Sequence, residues 1–138
     1  LLMALYFDTS ALVKLIIPEE GTEALETFIN RADCGLWTSE LSRTELMRAC
    51  VRRGADASQV RQLLWSFSTL TFDTEMFDLA GRLLPVELRS LDALHLAAAL
   101  SIGRDLQAIV TYDKRMADAA RKSGIPVESP CSLACVSE

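Results

Sequence analysis

Ala108-Ile109-Val110-Thr111-Tyr112-Asp113 decides the fold. An apolar run that ends in a hydroxyl and then an acid reads as a buried strand over Ala108 to Thr111, with a helix starting at Asp113. Leu5-Tyr6-Phe7-Asp8-Thr9-Ser10 repeats the pattern near the start of the chain, a short strand running into a capping turn. Between and beyond these two, Gly35 to Thr38, Leu70 to Phe72 and Ile125 to Val127 read as three further strands. Helical segments separate them. They run from Ala11 to Ile17 before Pro18, from Thr22 to about Ala32, from Ser39 or Ser42 to Gly54, from Asp56 through Phe67, from Asp73 to Leu84 before Pro85, from a Ser90 cap to Ile102, and from Asp113 to Gly124. Strands alternating with helices predict an α/β fold, a three-layer α/β/α arrangement around a central parallel sheet of four to five short strands. No linker or repeat divides the chain, so residues 3–130 read as one domain and 131–138 as a C-terminal tail.

Composition agrees with one globular unit. Of 138 residues, 50% are hydrophobic and 24% charged, too apolar for a disordered chain and too often interrupted by charge for a membrane span. The net charge of −5 excludes a partner held only by a positive field. It leaves room for a nucleic acid, because carboxylates that bind divalent cations count as negative here and act as positive once loaded. Four cysteines without a CxxC pair, and a single histidine, do not make a usual structural zinc site and read as thiols in a reducing compartment. The opening LLMALYFD lacks the basic segment and cleavage pattern of a secretory signal, so a cytoplasmic location is expected.

Ligands of open parallel sheets bind beyond the carboxyl ends of the strands, where strand order reverses. Asp8 and Asp113 both belong to that edge, and they face each other if their strands are neighbours. Glu45 lies in the helix after the second strand, and Asp92 in the first turn of the helix before the fourth. Singly, each has a plain explanation: Asp8 and Asp113 as cap residues, Asp92 as a first-turn acid favoured by the helix dipole, and Glu45 as the partner of Arg48. Together they are harder to dismiss, since Leu91-Asp92-Ala93-Leu94 and Thr44-Glu45-Leu46-Met47 set acids in apolar surroundings where an unpaired charge is costly. A carboxylate cluster without cysteine or a histidine pair suits Mg2+ or Mn2+, hard cations that prefer oxygen. Such ions can activate water for attack on a phosphodiester.

Four segments, Met3 to Lys14 (MALYFDTSALVK), Ser42 to Leu46 (SRTEL), Leu91 to Leu100 (LDALHLAAAL) and Val110 to Met116 (VTYDKRM), resemble in order and spacing the motifs of PIN-domain ribonucleases, specifically VapC-type toxins. The resemblance runs from Met3 to about Pro130. It implies a PIN fold, Mg2+- or Mn2+-dependent endoribonuclease activity and neutralisation by a cognate VapB-like antitoxin. Carried over by position, Asp8 and Asp92 are the expected metal ligands, with Glu45 and Asp113 completing the catalytic acids directly or through water. Ser10 and Thr111 match small hydroxyl positions that orient water or phosphate.

Other residues have two readings each. His95, three positions after Asp92, is either a core residue or a proton shuttle or supporting partner of the acids, and it has no evident partner set in the sequence. Lys14, Lys114 and Arg115 flank the acidic edge and can hold RNA phosphates or remain solvated. Arg48 and Arg52 share a helical stripe with Glu45. Trp65 and Phe67 read as core or protein interface rather than as base-stacking platforms. A homodimer is expected, with an antitoxin covering the acidic pocket through a basic side chain and apolar contacts. Two other functions compete. A phosphoacceptor receiver domain needs an acidic pair where Asp8 stands alone and a lysine after the last strand, where Pro126 to Glu138 has none. A catalytically silent PIN-like binding module would have no use for all four acids.

Overall fold

The computed structural model describes residues 3–132. Its chain order is β1 (Ala4–Phe7), α1 (Thr9–Lys14), α2 (Thr22–Arg31), β2 (Gly35–Ser39), α3 (Glu40–Arg52), α4 (Ala57–Trp65), β3 (Ser68–Leu70), α5 (Thr74–Arg82), α6 (Ser90–Ser101), a 3-10 turn (Gly103–Asp105), β4 (Leu106–Val110), α7 (Lys114–Lys122) and β5 (Val127–Glu128). The five strands form one parallel sheet in the order β3-β2-β1-β4-β5. Chain order reverses at β1, which lies between β2 and β4, so the crevice beside Asp8 is the switch point of the sheet.

The pleat of the two central strands assigns the two cores. Leu5 and Phe7 of β1, with Ala108 and Val110 of β4, face a cluster built with Leu12, Leu25, Leu46, Val60 and Leu64 from α1 to α4. Tyr6 and Ile109 point the other way, into Met76, Leu96, Met116, Ala120 and Ile125. Side chains of period two on a sheet covered on both faces give an unbroken apolar strand. Truncating a buried Leu or Ile of either core to Ala costs about 2–5 kcal/mol. No described helix is long and apolar enough to cross a membrane.

Several boundaries differ from the sequence reading. β3 occupies Ser68–Leu70 rather than Leu70 to Phe72, because its ladder runs Trp37 with Ser68 through Ser39 with Leu70; Phe72 then leaves the sheet to meet Phe77 at 5.4 Å. α4 stops at Trp65, so Phe67 turns out of the helix and packs edge-on against Phe7. Arg89, not Ser90, is the N-cap of α6, with no side-chain cap bond, and Ser90 is the first helical residue. α1 spans only Thr9–Lys14, and α5 ends at Arg82. β5 begins at Val127 because Ile125 is occupied closing α7, its amide bonded to the Ala120 carbonyl. β4 starts two residues early, at Leu106. Most of the expected tail, residues 133–138, lies outside the described residues.

Candidate active site

At the carboxyl end of β1 the chain must turn into α1, and Asp8 makes that turn: its Oδ1 accepts the Ala11 amide as N-cap. The same carboxylate accepts Ser10 Oγ on Oδ1 at 2.6 Å and Thr111 Oγ1 on Oδ2 at 2.5 Å. Asp8 is only 3% exposed. Burial pushes its carboxyl above the ordinary value of 3.8, opposed by the His95 charge and by the Ser10, Thr111 and Ala11 hydrogen bonds.

Asp113 repeats the device after β4, capping α7 by accepting the Arg115 and Met116 amides at 2.9 and 3.2 Å. Asp92 enters from the first turn of α6. Its Oδ2 is buried and has no hydrogen-bond partner among the described residues, and Arg89 Nε lies 3.7 Å from it. Burial first, then repulsion from Asp113, raises the Asp92 carboxyl above its usual range, with Arg89 opposing. Glu45 of α3 behaves in the opposite way. Burial pushes it up, but hydrogen bonds from His95 Nε2 at 2.6 Å and Thr9 Oγ1 at 2.7 Å, both to Oε1, outweigh that and leave it lowered.

All four acids line one cavity of about 360 Å3, together with Thr9, Ser10, Arg89, Ser90, Leu91 and His95. The donor set is oxygen-rich and holds a buried orphan oxygen, which fits a hard divalent cation. No three described His, Cys, Asp or Glu side chains stand close enough to form a ready-made cage. Mg2+ does not require one, since it is commonly held by one or two carboxylates with water and substrate phosphate completing the shell.

Residues 5–122 match the sequence pattern of the PIN domain. The chain belongs to the PIN-domain family. This PIN domain is 43% identical over 128 residues to Ribonuclease VapC46 of Mycobacterium tuberculosis, an alignment covering 92% of this chain and 98% of the relative. Among solved structures it is similar to the Mycobacterium tuberculosis sarcin-ricin loop cleaving toxin VapC20, with a TM-score of 0.71, 16% identity and coverage of 83% and 94% of the two chains. It is also similar to a chain of a toxin-antitoxin complex from Klebsiella pneumoniae, with a TM-score of 0.69, 18% identity and coverage of 94% and 99%. At those identities the two structures establish the fold alone.

The remaining expected residues divide. Ser10 and Thr111 lie on Asp8, and the Ser10 hydroxyl also accepts the Tyr112 amide. Lys14 does not reach the cavity of this PIN domain: its Nζ donates to the Glu20 carbonyl at 2.8 Å, pairs with Glu19 at 3.4 Å and lies 4.5 Å from the Tyr112 ring centroid. Arg115 lines a neighbouring cavity of about 400 Å3 that shares Arg89 and Asp92 with the first, and Lys114 lines another on α7. Glu45 pairs with His95 rather than with Arg48, which is exposed, as is Arg52. Trp65 is 88% exposed and outside the core. The sequence reading missed Thr9, Arg89, Tyr6 and Ser39, and it found no partners for His95. Among the described residues His95 has three: Glu45, Tyr6 at 2.8 Å and Thr9 at 3.4 Å. The one available signal was Tyr6, a phenol in a strand buried on both faces, whose hydroxyl needs a buried partner.

Proposed function

We propose that this chain is a VapC-type endoribonuclease toxin that hydrolyses RNA phosphodiesters at the cavity of Asp8, Glu45, Asp92 and Asp113, with Mg2+ or Mn2+ as cofactor. The observation that carries the reading is one cavity lined by four carboxylates, one of which, Asp92, has a buried Oδ2 without a hydrogen-bond partner among the described residues. A buried carboxylate oxygen with nothing to bond is costly, and a cation relieves both that cost and the repulsion from Asp113. Asp8 and Asp92 would hold the ion, with Glu45 and Asp113 completing the set directly or through water. A bound divalent ion supplies charge to the phosphate oxygens and lowers the pKa of the attacking water.

The chain's own groups do the rest. Ser10 and Thr111 fix the Asp8 carboxylate from both sides, and Thr9 and His95 fix Glu45. Arg89, at the cavity rim and largely exposed, offers a guanidinium to an RNA phosphate. In the reaction the water oxygen bonds to phosphorus and gives up one proton, the P–O bond to one ribose breaks, and the departing oxygen takes up a proton, so that one water is consumed for each bond cut.

The same carboxylates invite the basic side chain of a VapB-like antitoxin, whose fixed fork competes with the cation. The similarity to a chain of the Klebsiella pneumoniae toxin-antitoxin complex supports a partner of that kind. The domain extends over residues 3–130, forms a homodimer and acts in the cytoplasm, where its RNA is. The test is cleavage of RNA by the purified chain with and without EDTA: activity should vanish with the chelator and return with Mg2+ or Mn2+. Cleavage that persists in excess EDTA overturns the cofactor assignment, and no cleavage with either ion favours a silent binding module.

A further inference from the structure

Behind Glu45 a polar chain runs into an otherwise apolar layer. Tyr6 is fully buried on β1 and Ser39 is fully buried at the end of β2, while His95 on α6 is 2% exposed and followed in sequence by the core residues Leu96, Ala97, Ala98 and Ala99. The Tyr6 hydroxyl donates to Ser39 Oγ at 2.9 Å and is hydrogen-bonded to His95 Nδ1 at 2.8 Å. The two rings meet edge to face at 5.9 Å. Such groups are expensive to bury unless every one is satisfied, and an aliphatic pair would fill the same space without that cost. The chain has a destination, however. His95 Nε2 reaches the cavity side and meets Glu45 Oε1 at 2.6 Å, where Thr9 Oγ1 also donates at 2.7 Å.

We infer that His95, braced by Tyr6 and Ser39, is a positioning residue that holds Glu45 by Oε1 and leaves Oε2 to face the RNA-cleaving cavity. Both neighbours bind the same oxygen, and among the described residues Oε2 receives no hydrogen bond. Glu45 is an ionised acceptor and cannot give the proton of the contact, so the proton belongs to Nε2. A glutamate on a helix surface has three rotatable side-chain bonds and, without His95, would reach solvent or Arg48 one turn along. Small displacements of a group at a reacting centre are costly: about 1 Å can cost roughly 100-fold in rate. The burial of His95 and the engagement of both its nitrogens argue against a direct proton shuttle to RNA. The inference rests on the placement of Glu45 in the cleaving site, which can fail separately.

Kinetics of the full-length chain on a mixed-sequence RNA oligonucleotide carrying a fluorophore and quencher test it. His95→Leu should lower kcat by roughly 10- to 100-fold, the range for residues that orient a metal-binding carboxylate, with KM within about twofold. His95→Gln, which keeps an N–H donor, should recover most of the loss. In a Glu45→Gln background His95→Leu should cost less than about threefold, because it acts through the same carboxylate. Undiminished kcat in His95→Leu, an equal loss in both backgrounds, or no recovery in His95→Gln overturns the inference. Glu45→Gln cleaving at the wild-type rate instead overturns the placement of Glu45, whatever the His95 variants do. Should His95→Leu fail to fold, the near-isosteric Tyr6→Phe takes its place: a kcat loss of about threefold or more supports the brace, and an unchanged kcat overturns it.

Discussion

Two cavities open at opposite ends of the same central strands. The one at the amino ends, lined by Leu5, Ala24, Phe28, Ala32, Cys34, Gln107 and Cys131 among others, is the larger at about 570 Å3, against about 360 Å3 for the acid cavity. Its charged groups, Arg31 and Asp33, offset each other in sign, whereas the smaller cavity gathers four carboxylates, one histidine and one arginine. Volume does not make a site. Part of the difference comes from backbone polarity: at the carboxyl ends of β1 and β4 the chain turns into helix N-termini, which favour cap residues with side-chain oxygen, here Asp8 and Asp113, and at the amino ends it arrives from helix C-termini, which do not.

The largest effect that can break this comparison is the loss of a carboxylate at the acid cavity. Asp8→Asn should lower RNA cleavage by at least roughly 100-fold, in the range for removing an electrostatic group at a reacting centre. Its circular dichroism should stay close to wild type and its melting temperature should not fall, since Asn caps a helix about as well as Asp and carries no buried charge. Cys34→Ser in the other cavity, given the same assay, should leave kcat unchanged; a comparable loss there would erase the distinction between the two ends.

The next effect is thermodynamic. Without divalent ions Asp92→Asn should raise stability at neutral pH by about 1 kcal/mol, a few degrees in melting temperature, by removing a part-buried charge that Asp113 repels and Arg89 offsets only from 3.7 Å. Added Mn2+ should then stabilise wild type more than the variant. Equal shifts would mean that the ion binds elsewhere.

The pH dependence sharpens this. Asp8 and Asp92 titrate above their ordinary value in the folded state, so the folded state takes up protons first and the ion-free protein should gain stability as pH falls from neutrality through their raised values. Glu45, lowered, contributes in the opposite direction: its stabilisation is present above its ordinary value of 4.5 and is lost as pH falls through its folded value. Melting curves without divalent ions should therefore rise and then fall on acidification, and the rise should be absent in Asp8→Asn/Asp92→Asn. The smallest effect belongs to Trp65, which is outside both cavities and both cores. Trp65→Ser should change stability by less than about 0.5 kcal/mol, measured by urea unfolding.

The four acids were legible because each is anomalous locally: Asp8 and Asp113 follow short apolar runs at strand ends, and Glu45 and Asp92 interrupt apolar helical stretches. A cap and a place in the cavity are not alternatives for Asp8 and Asp113, since the same carboxylate caps a helix and lines the cavity. His95 was not legible, because its contact with Glu45 spans 50 positions and exists only once α3 and α6, packed on opposite faces of the sheet, meet at its carboxyl edge. Lys14 lies away from the cavity for a related reason. Nearness to Asp8 in sequence places it on the outer turn of α1, where Glu19, Glu20 and Tyr112 take up its ammonium. The edge strands were read least well, because β3 and β5 have three and two residues and their register is set by β2 and β4 rather than by their own side chains.

The double duty of Asp8 and Asp113 bears on how an inert form of the protein should be made. Alanine at either position removes a cap worth about 1 kcal/mol together with the carboxylate, so an alanine scan cannot tell an inactive protein from a partly unravelled one. Asparagine separates the two. An Asp8→Asn chain keeps the cap, Thr9 and the cavity walls, and it is the form to crystallise with uncut RNA: a trap that holds its substrate at the turn between a strand and a helix.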